Sequence, residues 1–487
     1  MRRLSVFHLA AILGGSLAAT SLSLSACRRH NAAPAVESAS PAPHEHAPVS
    51  EPALAAAPAT NAAPAASSAP AANASKGAAT ADPPPRPLRR CFPDAPSWVD
   101  APVAALLDRA AEMFDGADYE GALACAEEAA RQAPRSVEAH HNRAVALLHL
   151  DRLDDARDAL TLALALAPDD PETLEAAADL NINQLAPSAD RSQIGLEYAR
   201  RGSHHVSRHD AERVARLALL EGQALVDLGR SLEGLHRIDS ALAVSPKLVA
   251  AQYERGVALF ELCRFGEARH MFERVLASTP DHGHALYHLG LIEERLGDDS
   301  VAAQRLAEAT ARDPKAFPPP PAISPEQFED HVRRAVASLP ADVAADLAGI
   351  QVQAAELPAI DDLTAEKPPL SPTILGLFRG LPLDWKADAT TPTPAGRTGQ
   401  AGRGKKARRA VASGDGTPGD DADGNGGHSD GARCAVPDRA IVLYRRNLLR
   451  TVGDEAELDR AITRTLLHEV GHLRGEDDGS LRDRGLE

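Results

Sequence analysis

The sequence predicts a multidomain chain: an all-α repeat solenoid, then a small α+β domain, with a disordered N-terminal linker and a disordered internal loop. Three observations predict it. Proline recurs at Pro134, Pro168, Pro246, Pro280 and Pro314, at spacings of 34, 78, 34 and 34 residues, the signature of stacked helical units. Aromatic residues are only 3% of the chain, while Ala and Leu dominate, which suits helices packed through small side chains. Near the end, Leu466-Leu467-His468-Glu469-Val470-Gly471-His472 places two histidines four apart on a helix, after the strand-like run Ala440-Ile441-Val442-Leu443-Tyr444. A length of 487 residues is too great for one ordinary domain, and a formal charge of -17 argues against nucleic acid as the main partner.

Residues 1–27 read as a targeting segment. Arg2 and Arg3 precede a largely apolar run from Leu4 to Ala19, and Leu24-Ser25-Ala26-Cys27 resembles a bacterial lipobox. The resemblance implies cleavage before Cys27, lipidation of that cysteine and a membrane anchor. Arg28 follows, so nothing signals inner-membrane retention. The expected location is the bacterial cell envelope, at the outer membrane, facing the periplasm or the surface. Residues 28–100 are Ala, Pro and Ser without apolar periodicity, a flexible tether that cannot offset its ordering entropy by burial. His44 and His46 belong to that solvated tether. Four further cysteines, Cys91, Cys125, Cys263 and Cys434, show no C-x-x-C spacing. Three pairings are open, and Cys125 and Cys263 read as small buried apolar residues.

Residues 101–316 carry the repeat. Ala110, Ala144, Gly222, Gly256 and Gly290 fall twenty-four before each proline, and Ala122, Ala156, Gly234, Ala268 and Ala302 fall twelve before. Ala126, Leu160, Ile238, Phe272 and Leu306 fall eight before; Ala129, Ala163, Ala241 and Ala309 fall five before, where Val275 breaks the column. Two antiparallel helices per unit explain this: small residues where the helices approach, a larger one beside them, proline to stop the second helix. These columns resemble tetratricopeptide repeats, which implies a concave surface for a protein or peptide partner. The third unit, 169–210, departs from the pattern. Its Gly202-to-His209 stretch reads as a loop, with His204, His205 and His209 on its surface.

Phe317-Pro318-Pro319-Pro320-Pro321 cannot continue a helix and marks a domain boundary. The domain at 325–487 starts with a helix capped by Ser324, whose apolar face is Phe328, Val332, Ala335, Val336 and Leu339. A strand is expected over Leu347–Leu357, and the Gly-punctuated stretch Ile374–Leu383 passes near a sheet. Residues 387–432 interrupt the domain as a polar insertion, basic in front and acidic behind. From Asp454 a helix runs to Arg474, with Leu458, Ile462 and Leu466 on its core face.

On that helix His468 and His472 share a face and can hold one Zn²⁺, while Glu469 is placed as general base. Gly475 can end the helix with positive φ, letting the chain turn back so that Asp478 supplies a third ligand; Asp477 and Glu476 are its rivals. The 15 residues after His472 leave no room for a ligand from a separate downstream helix, and no methionine follows to form a Met-turn. Together with Leu375–Leu383 and Pro437–Tyr444, the H-E-x-x-H-x-x-G-x-x-D pattern resembles the minimal zincin-like metallopeptidases of bacteria. That resemblance implies an active-site helix on a short sheet, metal positions at His468, His472 and Asp478, and a general base at Glu469. The implied function is zinc-dependent peptide hydrolysis in the cell envelope, with the repeats recruiting a substrate or partner. The alternative is a catalytically silent adaptor with a zinc-binding domain; an intact Glu469 favours the enzyme. Strand 440–444 could align an extended peptide by edge pairing. Tyr444, Arg445 and His428 are the candidates for stabilising an oxyanion.

Overall fold

The computed structural model describes residues 91, 101–383 and 439–486. The targeting segment with Cys27, the linker apart from Cys91, the 387–432 insertion, His428 and Cys434 lie outside the described residues.

Twelve helices form six hairpins. They are α1 (Val103–Asp115) with α2 (Tyr119–Gln132), α3 (Val137–His149) with α4 (Leu153–Leu166), and α5 (Pro171–Asp179) with α6 (Ala189–His205). Then come α7 (Ala211–Asp227) with α8 (Ser231–Val244), α9 (Val249–Glu261) with α10 (Phe265–Ser278), and α11 (Gly283–Leu296) with α12 (Asp299–Arg312). The small and large columns meet inside each hairpin. A Cβ on Gly256 would lie 2.6 Å from the Phe272 ring, so the glycine is what lets α9 and α10 close. Another column was hidden in the sequence. Ala117, Asp151, Gly229, Cys263 and Gly297 each turn a hairpin with positive φ, from 57° to 82°. Three of the five are not glycine, so composition gave no signal; the hairpin packing imposes the turn.

The third repeat absorbs its extra residues after α5, in one π-helical turn (Leu180–Gln184) and a short loop. Helix α6 continues to His205, so Gly202 to His205 are helical and not the expected loop. The reason is packing: Gly202 sits against Leu217 of α7, where a Cβ would come within 2.8 Å. His204, His205 and His209 are exposed. Buried Glu175 ties the unit to the next through Arg213 at 3.0 Å and Arg216. Cys125 is buried as expected but is not a free apolar residue: it forms a disulfide with Cys91, holding the chain entry to α2. Cys263 is free and half-buried.

The C-terminal body contains α13 (Pro325–Ala337), α14 (Ala341–Asp346), β1 (Gln351–Ala355), α15 (Ile360–Leu363) and β2 (Gly376–Arg379). After the insertion come β3 (Ala440–Tyr444), α16 (Arg445–Arg450), α17 (Glu455–Leu473) and α18 (Asp478–Asp483). Ser324 and Gln327 form a capping box at α13. The predicted strand 347–357 is shorter, because α14 and its turn occupy the chain up to Ile350. Sheet order is β1-β3-β2, with β1 parallel and β2 antiparallel to β3. Strand β3 is therefore central. Both its edges are paired, and it cannot align a peptide by edge pairing as the sequence suggested. It is buried on both faces. Ile441 and Leu443 join Phe328, Val332, Leu458, Ile462, Leu466 and Val470 in the main core. Val442 and Tyr444 pack with Leu363, Leu370, Ile374 and Leu377, and Cys263 of the repeats touches that cluster.

The two parts share a seam. Phe317 is buried and stacks on Tyr287 at 5.1 Å, which anchors the chain where the exposed run Pro318 to Pro320 begins. Arg295 of α11 donates to the carbonyls of Pro358, at 3.1 Å, and Pro372. Arg446 pairs with Asp299 at 2.7 Å, and Arg450 with Glu294.

Candidate metal centre

Helix α17 carries the motif because its sequence holds it in register. Asp454 caps its first turn by accepting from the Glu457 N–H at 2.7 Å. Leu458, Ile462 and Leu466 are fully buried against the sheet, which turns the next two turns toward β2. Thr465, His468, Glu469 and His472 are all buried there. The helix stops at Leu473. Gly475 takes φ 87°, and the Glu476 N–H returns to the Gly471 carbonyl at 2.9 Å.

The returning chain brings Asp478 to the histidines. His468 Nε2 and His472 Nε2 are 3.0 Å apart. Asp478 Oδ1 is 3.3 Å from His472 Nε2 and 4.0 Å from His468 Nε2. Among the described residues, these three form a group with ligand atoms within 4.8 Å of one another. The rivals are occupied elsewhere: Asp477 caps α18 through the Ser480 N–H at 2.9 Å, and Glu476 pairs with Arg484 at 2.6 Å.

The donor set fits a zinc ion. His468 Nδ1 is 2.7 Å from the Leu486 carbonyl and His472 Nδ1 is 3.1 Å from the Glu476 carbonyl. A carbonyl only accepts, so each Nδ1 carries the hydrogen and each neutral ring turns its Nε2 lone pair inward. Two such lone pairs and a buried Asp478 Oδ1 without a hydrogen bond of ordinary geometry repel one another unless a metal ion or a proton lies among them. Ligands at ~2.0–2.1 Å from a tetrahedral zinc stand about 3.4 Å apart, and the observed separations bracket that value. The field acts on His472 too. Burial opposes its charge, but Asp478 and Glu469 outweigh burial and raise its pKa.

Glu469 points beside this group. Its Oε2 accepts from the Phe378 N–H of β2 at 2.7 Å. Burial pushes its pKa up to about 7, against the opposing pull of His472 and the Phe378 N–H. Gly376 makes the approach possible, since a Cβ there would lie 2.7 Å from Thr465 Cγ2 and 3.1 Å from Glu469 Oε1. Sequence reasoning missed Gly376 and the Phe378 N–H, although Ile374–Leu383 stood out for its glycines. It also missed Glu366, whose pKa is raised by burial and then by Asp478. Of the oxyanion candidates, Tyr444 is fully buried in the small apolar cluster, and burial pushes its hydroxyl up to about 12. Arg445 is turned away, held by Glu356 at 2.7 Å and by the Ile323 carbonyl.

A family model for a zincin-like metallopeptidase matches residues 424–486. A tetratricopeptide-repeat model matches 107–171, 219–268 and 259–317. The gap between the first two matches contains the irregular third hairpin. Solved structures similar to this chain include Pseudomonas aeruginosa PilF, at 15% identity over 47% of this chain and 97% of that one, TM-score 0.37. PilW, described as a type IV pilus biogenesis factor, shows 20% identity over 47% and 97%, TM-score 0.38. YrrB, described as a repeat protein with an unusual peptide-binding site, shows 18% identity over 39% and 95%, TM-score 0.30. The chain joins an array of tetratricopeptide repeats, matched within 107–317, to a zincin-like metallopeptidase domain matched at 424–486.

Proposed function

We propose that this chain is a zinc-dependent peptidase of the bacterial cell envelope, whose repeats bind a protein or peptide substrate or partner. One observation carries the reading: two imidazole nitrogens and a carboxylate oxygen converge beside a buried glutamate held in place by the Phe378 N–H. His468, His472 and Asp478 would hold the ion. Bound zinc supplies a Lewis acid that polarises a peptide carbonyl and acidifies water. Glu469 takes the water proton and delivers it to the leaving amine. The Phe378 N–H fixes the carboxylate in one orientation. Strand β2 is an edge of the sheet beside α17, so an extended substrate is expected to lie along β2 and not along β3.

The envelope assignment, with lipidation at Cys27, rests on the first 27 residues. The Cys91–Cys125 disulfide supports it, because such bonds persist in oxidising compartments. Glu469→Gln tests the enzyme reading. The variant should retain zinc and lose at least about 100-fold in cleavage of a peptide library. Equal processing by both proteins would overturn this enzyme reading, and cleavage by neither would leave the silent adaptor.

A further inference from the structure

Neither metal histidine finds its Nδ1 partner on its own helix. The Nδ1–H groups of His468 and His472 are both taken by carbonyls of the returning segment, Leu486 and Glu476. The segment is closed on itself and locked to α17. Leu481 is fully buried, and a Cβ on Gly471 would lie 2.2 Å from its Cδ2, so Leu481 plugs the glycine between the two histidines. The Leu486 N–H returns to the Leu481 carbonyl at 3.0 Å, and Gly485 turns with φ 72°, which delivers the Leu486 carbonyl to His468. Arg484 bridges to Glu476 at 2.6 Å, tying the two carbonyl-bearing ends together, although at its exposure this pair adds little.

We infer that residues 476–486 form a clasp that orients both metal histidines through backbone carbonyls, with Leu481 and Gly485 as positioning residues for zinc binding. The inference rests on the zinc reading above and extends it. Gly471 stands in the motif because Leu481 needs its space, and Gly485 stands in the tail because the Leu486 carbonyl needs a left-handed turn. Outer partners of metal-bound histidines set ring orientation, and their loss typically costs 10–100-fold in metal affinity.

The test is zinc affinity of the full chain, by competition with a chromophoric chelator, beside thermal unfolding of the metal-free protein. Leu481→Ala and Gly485→Val should each bind zinc about 10-fold or more weakly. Leu481→Met should recover wild-type affinity, because it refills the space over Gly471. Gly485 is exposed with nothing near its Cβ position, so Gly485→Val meets only the strain of a positive φ and should lower metal-free stability by less than it lowers zinc affinity. Unchanged zinc affinity in both variants overturns the clasp while leaving the metallopeptidase reading intact. A weaker affinity matched by equal loss of metal-free stability, and not restored by Leu481→Met, assigns the segment a purely structural role and also overturns it. A wild-type chain that binds no zinc overturns both readings.

Discussion

Asp478 is the residue on which the donor set turns. Without it, two lone pairs 3.0 Å apart remain with no anionic partner, a poor site for any cation. The sequence pointed to it but left Asp477 and Glu476 as rivals, because Gly475 fixes where the chain reverses and not which of three consecutive acids faces the histidines. The Phe378 N–H could not be read. It meets Glu469 across 91 residues of sequence, and no side-chain type advertises a backbone donor. Histidine chemistry also shapes the repeats. His288 is buried, stacks on Phe272 at 5.0 Å, and has a pKa lowered to about 4 by burial. Tyr253 and the neighbouring His284 and His282 also face it. The folded pKa lies below the unfolded value near 6.5, so the unfolded chain binds the extra proton. The stability from neutral His288 is full above pH ~6.5 and is lost as pH falls toward about 4, by about 3 kcal/mol. His288→Gln should flatten that part of the stability–pH curve in denaturant titrations; an unchanged slope would place the proton elsewhere.

At the scale of elements, the approach of β2 to α17 makes the site. Gly376 permits it, and an added methyl there meets Thr465 and Glu469 inside van der Waals distance. Gly376→Ala should cost about 1–3 kcal/mol and should reduce cleavage more than zinc binding, because it displaces Glu469 and not the histidines. Calorimetry and a zinc titration on the same protein separate the two effects; a fall in zinc affinity with cleavage intact would refute this role for β2. Elements with strong periodicity were legible beforehand, as the apolar faces of α13 and α17 show. The sheet order was not. Ala440–Tyr444 announces a strand, but its central place depends on β1 and β2 arriving from chain segments 60 to 90 residues earlier. The third hairpin was misread for a related reason. Its composition looks like a loop, yet Gly202 has the tertiary partner Leu217 that keeps α6 helical.

For the whole molecule, the repeats are a structural wall of the zincin-like body. Arg450 and Glu294 face each other with side chains only 9% exposed, and Asn447 beside them holds the Pro372 and Ile374 carbonyls at 3.1 and 2.8 Å. Glu294→Ala in the sixth repeat strands a buried guanidinium and should cost about 3–5 kcal/mol. Hydrogen exchange at Arg445–Arg450 should rise in that variant; unchanged protection there would mean that the seam does not carry load. The sequence placed a boundary at the four prolines because proline ends helices. It could not show that Phe317 is buried and anchors the start of that run. The central claim, that the three ligand atoms gathered by α17 and the returning chain hold a metal for Glu469, is tested most directly by zinc titration of chelator-stripped protein. The account predicts one zinc per wild-type chain and an affinity more than about 100-fold weaker for Asp478→Ala. No zinc uptake by the wild type, or equal uptake by both proteins, would contradict it.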